Sequence, residues 1–417
     1  MINLDKYSIG IGDRFAHEGV AQLRALEKAM KFGLDIVPVW NKSNREHTII
    51  HSTPADNRNA ADNAIKKINW KGQYFVDADH INISNVDKFI DSSDFFTIDI
   101  ADYIGKKSDD SLIDQFIERN IKYTTLKIPG ILETFRITKD NLRIIAEKYL
   151  FAVIEAGKIY RHIENHKGFG NFITEVSMDE VDEPQSPIEL FFILSACSFE
   201  KIPLQTIAPK FTGRFNKGVD YVGKLDQFSR EFEENLMVID FAIKEFGLPG
   251  NLKLSIHSGS DKFSIYPVMG QLIKKYNKGI HLKTAGTTWL EEVIGMAMAG
   301  EGPLDLAKSI YGIALSRFDE LCGPYRANID IDQSALPSLI EIQSWNSEKF
   351  VNTLRHIPGH PDYNPNFRQL MHVAFKIAAE YGTEFISILE KHSDVIGEQV
   401  STNLFDRHIC RLFNLKE

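Results

Sequence analysis

Three histidines far apart in the chain each fall at or near the end of a short apolar segment: His80 in Asp77-Ala78-Asp79-His80, His257 in Leu254-Ser255-Ile256-His257, and His281 in Ile280-His281-Leu282-Lys283. Imidazoles from separate strands can converge on one Lewis-acidic divalent cation and leave a position open for substrate. Carboxylates crowd the same places. Asp79 adjoins His80, Glu175 lies in Thr174-Glu175-Val176 with Asp179 and Glu180 just after it, and Asp99, Asp102 and Asp261 follow other apolar segments. Acid and base groups beside a metal suit proton transfer. Lys210, Arg214, Lys217 and Lys262 lie in the segments beyond the later strands, where a cation, and above all the Arg fork, can hold a substrate carboxylate. Each group also has a plainer reading. Asp102, Asp179 and Asp261 can cap the helix that follows, a single strand-end histidine can be a hydrogen-bonded structural residue, and loop lysines can be solvated.

Convergence requires elements that bring these stretches to one rim. Eight apolar, β-branched segments recur, at residues 8–11, 36–39, 74–76, 95–98, 172–176, 204–207, 252–256 and 280–283. Several are continuous rather than alternating, as strands of a parallel sheet buried on both faces are. Helical patterns such as 19–31 and 228–246 separate them. Strand–helix alternation eight times predicts an α/β fold, a (β/α)8 TIM-type barrel; an open doubly wound sheet is the other architecture with this pattern. The barrel domain is expected to span 1–288, and the helical stretch at about 103–168 reads as an insertion over its mouth or else as a sign that one strand is misassigned. Residues 289–417 read as a C-terminal helical extension packed on the barrel, with helices at 289–299, 303–315, 335–346, 348–354 and 366–392.

The formal net charge is −9, an acidic balance that argues against a nucleic-acid binder, which carries a basic face, but leaves room for a local basic pocket. Cys197, Cys322 and Cys410 are too few and too scattered for a disulfide framework or a cysteine-based zinc site. The start, MINLDKYSIG, has no basic stretch followed by an apolar core, and the longest apolar run, near 190–194, is far shorter than a membrane span. A cytoplasmic protein with a small-molecule substrate, no nucleic-acid partner and no membrane partner is the expectation. Gly10-Ile11-Gly12 starts like a dinucleotide fingerprint, but Phe15 occupies the third glycine position. His356-Ile357-Pro358-Gly359-His360 has metal-like spacing, yet its Pro-Gly pair marks a turn.

Five segments carry a resemblance: YFVDADHI (74–81), TEVSMDE (174–180), APKFTGRFNKGVDY (208–221), SIHSGSDKFSIYP (255–267) and HLKTAGTTWLEE (281–292). Together they resemble the tagaturonate epimerase family, across residues 8 to 415. The resemblance implies a divalent-metal-dependent isomerase of hexuronate catabolism that interconverts D-tagaturonate and D-fructuronate. It implies His80, His257 and His281 as metal ligands, with Asp79 as proton acceptor and Glu175 as proton donor, Asp179 being the reserve for that role. The metal, one divalent cation, is Zn, Mn, Co, Ni or Fe on ligand type alone. Lys210, Arg214 and Lys262 are the expected substrate-binding residues. The two sugar acids differ at carbon 4, whose hydrogen a ketone at carbon 2 does not acidify, so retro-aldol cleavage and re-addition is the reasonable route. A metal-dependent aldolase or isomerase of another sugar acid, or a non-catalytic carbohydrate-binding protein, would share many of these features.

Overall fold

A computed structural model describes residues 2–284 and 286–415. Met1, Ala285, Lys416 and Glu417 lie outside the described residues, so the expected turn Thr284-Ala285-Gly286-Thr287 is seen without Ala285. In chain order the strands are β1 (Tyr7–Ile11), β2 (Val37–Ser43), β3 (Phe75–Ile81), β4 (Phe95–Asp99), β5 (Thr125–Lys127), β6 (Thr134–Arg136), β7 (Ile173–Ser177), β8 (Thr206–Ala208), β9 (Lys253–His257) and β10 (Ile280–Lys283). Eight of them close into a barrel in the order β1-β10-β9-β8-β7-β4-β3-β2, every pairing in it parallel. The (β/α)8 expectation holds, and each of the eight expected segments supplies a barrel strand.

The third strand runs further than its apolar residues suggested. Asp77 and Asp79, expected in a loop, lie within β3 and are buried. Near its end Ala78 pairs with Phe96 but Ile81 with Ile98, so three steps on β3 oppose two on β4. His80 takes the left-handed conformation there, with φ +52°. Adjacent residues of a strand normally face opposite sides; a bulge with one left-handed residue breaks that rule and re-aims a side chain. Asp79 and His80 thereby both reach the barrel mouth.

Between β4 and β7 the expected helical insertion contains the helix Asp110–Asn120, the antiparallel hairpin β5–β6, which the sequence did not suggest, and the 29-residue helix Lys139–Lys167. The long helix packs on β4 and on the helix Pro187–Phe199, so it belongs to the outer ring instead of covering the mouth.

Beyond β10 the described chain is helical and builds a second apolar core in which Trp289, Leu290 and Ile294 meet Phe350, Phe367 and Phe385. The single helix expected at 366–392 is three: Pro365–Val373, Phe375–Tyr381 and Thr383–Lys391. Gly382, at φ +56°, ends the second of them in a conformation that favours glycine.

Barrel and helical region are joined by one buried ion cluster. Asp261, after β9, accepts from the Arg368 guanidinium at 2.8 Å, with His356 Nδ1 and His408 Nε2 each at 3.3 Å. Arg368 also donates to the carbonyls of Gly218 and Leu354, so its fork spans three segments. The His356–His360 stretch is thus structural: His356 meets Asp261 and stacks on Phe263. Burial opposes the Asp261 charge, but Arg368 outweighs it and holds the carboxyl well below its usual value of 3.8. A depressed carboxyl stabilises the fold above its unfolded-state value and loses that contribution as pH falls through its folded one. Arg368→Met is expected to cost about 3–5 kcal/mol of unfolding free energy at pH 7, read by urea denaturation, because it strands a buried charge. The cost should shrink progressively below pH 3.8; a variant as stable as the parent at pH 7 would remove this cluster as the joint.

Candidate active site

A cavity of about 400 Å³ opens at the C-terminal ends of the strands, where active sites of such barrels are built. Every barrel strand or the segment after it contributes to its wall, including Arg14, Ser43, His80, Asp99, Asp179, Lys210, His257 and Lys283. A volume of this order accommodates a small sugar acid.

Its floor is organised by Lys283, which is 3% exposed. The Nζ lies 2.9 Å from Asp77 Oδ2, 2.8 Å from Asp79 Oδ1 and 3.3 Å from Glu175 Oε1, and donates to Thr97 Oγ1 at 2.7 Å. Gly10 makes room for its stem, since a Cβ there would stand 2.6 Å from Lys283 Cγ. Burial opposes the ammonium charge, but the three carboxylates raise its pKa well above the ordinary value. The same balance separates the carboxylates. Burial, with Asp79 and Glu175 adding to it against Lys283, pushes Asp77 up to about 7. Burial also works against ionised Asp79 and Glu175, yet Lys283, with His80 in one case and His257 in the other, holds both well below the carboxylate range.

Above this floor His80, Asp179 and His257 form a group whose ligand atoms all lie within 4.8 Å of one another. Asp179 Oδ1 is 2.9 Å from His257 Nδ1 and 3.6 Å from His80 Nε2. Neither imidazole nitrogen has an aligned hydrogen-bond partner among the described residues, although both are buried. The far nitrogens are held by carboxylates: His80 Nδ1 by Asp79 Oδ1 at 2.7 Å, and His257 Nε2 by Glu175 Oε1 at 2.8 Å. A carboxylate on the outer nitrogen, with the inner nitrogen turned to a shared point, is how metal-binding histidines are set up. Two imidazoles and one carboxylate fit a divalent transition metal or zinc.

The structure therefore brings together His80, His257, Asp79 and Glu175 from the expected set, and adds Asp179 as a third candidate donor. His281 is not in the group. It lies two residues before Lys283 on the same strand, one interior layer deeper, and its ring meets Ser8 Oγ at 2.9 Å and Phe95. Burial pushes its pKa down to about 3, so it stays a neutral core imidazole. Glu175 is fully buried and does not line the cavity; it stands behind His257. Lys262 is also enclosed, donating to the Asn216 and Val219 carbonyls and to Ser260 Oγ, with burial pushing its pKa down to about 7. Arg214 lines the rim but pairs with Asp330 at 2.7 Å in an exposed position. Lys210 lines the cavity as expected. Sequence reasoning assigned no role to Lys283, Asp77 or Thr97. The signal for Lys283 was present, a lysine two residues after a histidine within a short strand, but its four partners sit on three other strands.

The sequence profile described as UxaE, tagaturonate epimerase, matches residues 1–412. The tagaturonate/fructuronate epimerase of Thermotoga maritima is 28% identical over 419 aligned residues, taking in 96% of this chain and 80% of that protein. The crystal structure of fructuronate-tagaturonate epimerase UxaE from Cohnella laeviribosi complexed with one glycerol superposes with a TM-score of 0.81 at 23% identity, covering 100% of this chain and 82% of that one. Its native form gives 0.79 at 22%, covering 100% and 83%. At that identity the structural likeness speaks for the fold.

Lys283→Met should leave Asp77, Asp79 and Glu175 facing one another without a cation. Unfolding free energy at pH 7 is expected to fall by about 3–5 kcal/mol. Adding Asp77→Asn should recover part of that loss, since one of the opposed carboxylates is then neutral. Equal stability of the single and double variants in denaturant titrations would count against Lys283 as the balancing charge.

Proposed function

Because this chain belongs to the tagaturonate epimerase family, whose reaction interconverts tagaturonate and fructuronate, we propose that the mouth of its barrel inverts carbon 4 with a divalent cation held by His80, His257 and Asp179. The observation that carries this reading is the pair of buried imidazole nitrogens that converge on Asp179 without an aligned hydrogen bond among the described residues, beside the ionised Asp79. When bound, the cation would act as a Lewis acid on the substrate ketone and a neighbouring hydroxyl.

The chain's own groups do the rest. Asp79 lines the cavity and is kept ionised by Lys283, so it is the base that takes the proton of the carbon-4 hydroxyl. As that proton leaves, the bond between carbons 3 and 4 breaks. Its electron pair passes to carbon 3 and the adjoining ketone, giving an enediolate, and carbon 4 becomes an aldehyde. Rotation of the aldehyde presents its other face, and re-addition inverts the centre. Asp79, with Lys283 at 2.8 Å, keeps the proton and returns it to the new alkoxide. Lys283 also places a positive charge beside the negative charge that develops. Glu175 was expected to donate a proton, but it is ionised and bonded to His257, so we assign it the orientation of that imidazole. His281 we leave to the core. Among the described residues no helix is long and apolar enough to cross a membrane.

Chelator-treated protein should lose turnover of tagaturonate and regain it with a divalent metal. His257→Ala should fail to retain the ion in elemental analysis while keeping the barrel's circular dichroism. Full turnover by protein shown to be metal-free would overturn the metal assignment. Asp79→Asn, assayed at saturating metal to offset its loosened hold on His80, should lower kcat by ~100-fold or more. Solvent deuterium found at carbon 4 of the product would sink the cleavage route in favour of proton exchange.

A further inference from the structure

Three nitrogen-bearing side chains that line the same cavity as the metal-candidate group have unused hydrogen-bonding capacity. Arg14 follows β1, which in the closed ring lies four places from β7, the strand before Asp179. It is 7% exposed; its Nε pairs with Glu46 Oε1 at 3.1 Å, its guanidinium lies over the Phe375 ring, and its Nη1 is buried with no partner among the described residues. His372, from the helical region, is 2% exposed, and neither of its ring nitrogens has a partner among the described residues. Burial, reinforced by the positive charges of Arg14 and Lys217, holds His372 well below the ordinary imidazole value and so neutral. Lys217 is half-buried in the loop after β8, its backbone N–H on the Asn328 carbonyl at 2.7 Å and its Nζ over the Tyr325 ring. Among the described residues no carboxylate pairs with that Nζ. All three residues line the one cavity.

A buried guanidinium nitrogen and a neutral imidazole left without partners cost free energy unless a ligand supplies the acceptor. The backbone is adjusted to bring the imidazole in: a Cβ on Gly286 would stand 2.4 Å from His372 Nε2. Glu46 balances the Nε side of Arg14, and Glu180 and Glu46 act on Lys217 without pairing with its ammonium, so Nη1 and Nζ are left for a ligand. An anion with two or more acceptor oxygens is the ligand such a set takes.

We propose that Arg14, Lys217 and His372 form the pocket for the carboxylate of the sugar-acid substrate, in the same cavity as His80, Asp179 and His257. This rests on the epimerase reading and deepens it. The carboxylate of a ketohexuronate is two carbons from carbon 4, so anchoring it in this pocket while the ketone end lies at His80, Asp179 and His257 sets carbon 4 between the two groups, in the cavity that Asp79 also lines. The pocket replaces the expected set: Lys262 is enclosed, Arg214 is committed to Asp330, and Lys210 remains a wall residue. It also makes the helical region part of the site, through His372.

The test compares tagaturonate with tagatose, which carries a hydroxymethyl group where tagaturonate has the carboxylate. In the metal-loaded enzyme, Lys217→Met should raise KM for tagaturonate by about 30-fold or more, and raise KM more than it lowers kcat. Competitive inhibition by tagatose should be unchanged, and Lys217→Arg should recover most of the loss. His372→Leu should likewise weaken tagaturonate and spare tagatose. If Lys217→Met weakens both ligands equally, or neither, the pocket is overturned. Calorimetric titration of both sugars into the parent and the Lys217→Met protein separates this from the activity. A parent that fails to turn over tagaturonate removes the epimerase reading, while its preference for the acid over tagatose, present or absent, still decides the pocket.

Discussion

One buried ammonium sets the terms for the barrel mouth. Lys283 sits among Asp77, Asp79 and Glu175, and none of the four could be buried at that level without the others. Its charge keeps Asp79 and Glu175 ionised, and these two carboxylates in turn hold the outer nitrogens of His80 and His257. The orientation of both imidazoles, and so the convergence of their inner nitrogens on Asp179, is carried upward from that one cation. Asp77, pushed to the top of the carboxylate range, absorbs the excess negative charge by taking a proton near neutrality.

The second constraint is geometric. Asp79 and His80 are neighbours in sequence yet share a cavity, which a regular strand forbids. The extra residue on β3 and the left-handed His80 lift that restriction. A strained residue at a site of chemistry is where such strain is expected to be kept. The helical region contributes as well. Arg368 ties it to Asp261 at the end of β9, one turn before His372 on the same helix, so the residue that joins the two regions also fixes the imidazole offered to the cavity.

Much of this was legible in the chain. Period and composition placed all eight barrel strands, because a strand buried on both faces must be apolar almost throughout. The polar residues at their ends stood out for the same reason. Where the reading erred, it erred on depth and direction. His281 has the residue type of a ligand and lies on the right strand, but two residues place it one layer too low. Lys262 lies in a segment expected to face substrate, but its ammonium is tied to three atoms of the Asn216–Ser260 region. β3 looked shorter than it is, since two aspartates were read as leaving the sheet when they were entering a polar interior. His372 gave no signal beyond being a histidine one turn after an arginine on an apolar helix.

The order of residues by itself determined the barrel, the helical region after it, the rim at which chemistry is done and the family to which the chain belongs. These follow from local periodicity, from strand ends and from motifs that need no knowledge of distance. Tertiary structure alone decided which side chains share a charge and which nitrogens are left without a partner. Asp179 beside His80 and His257, Glu175 behind His257 and Arg14 in the same cavity are relations between strands far apart in sequence. Burial and pairing set pKa and hydrogen-bond supply, and both depend on what comes within about 4 Å in space, which closing the barrel settles.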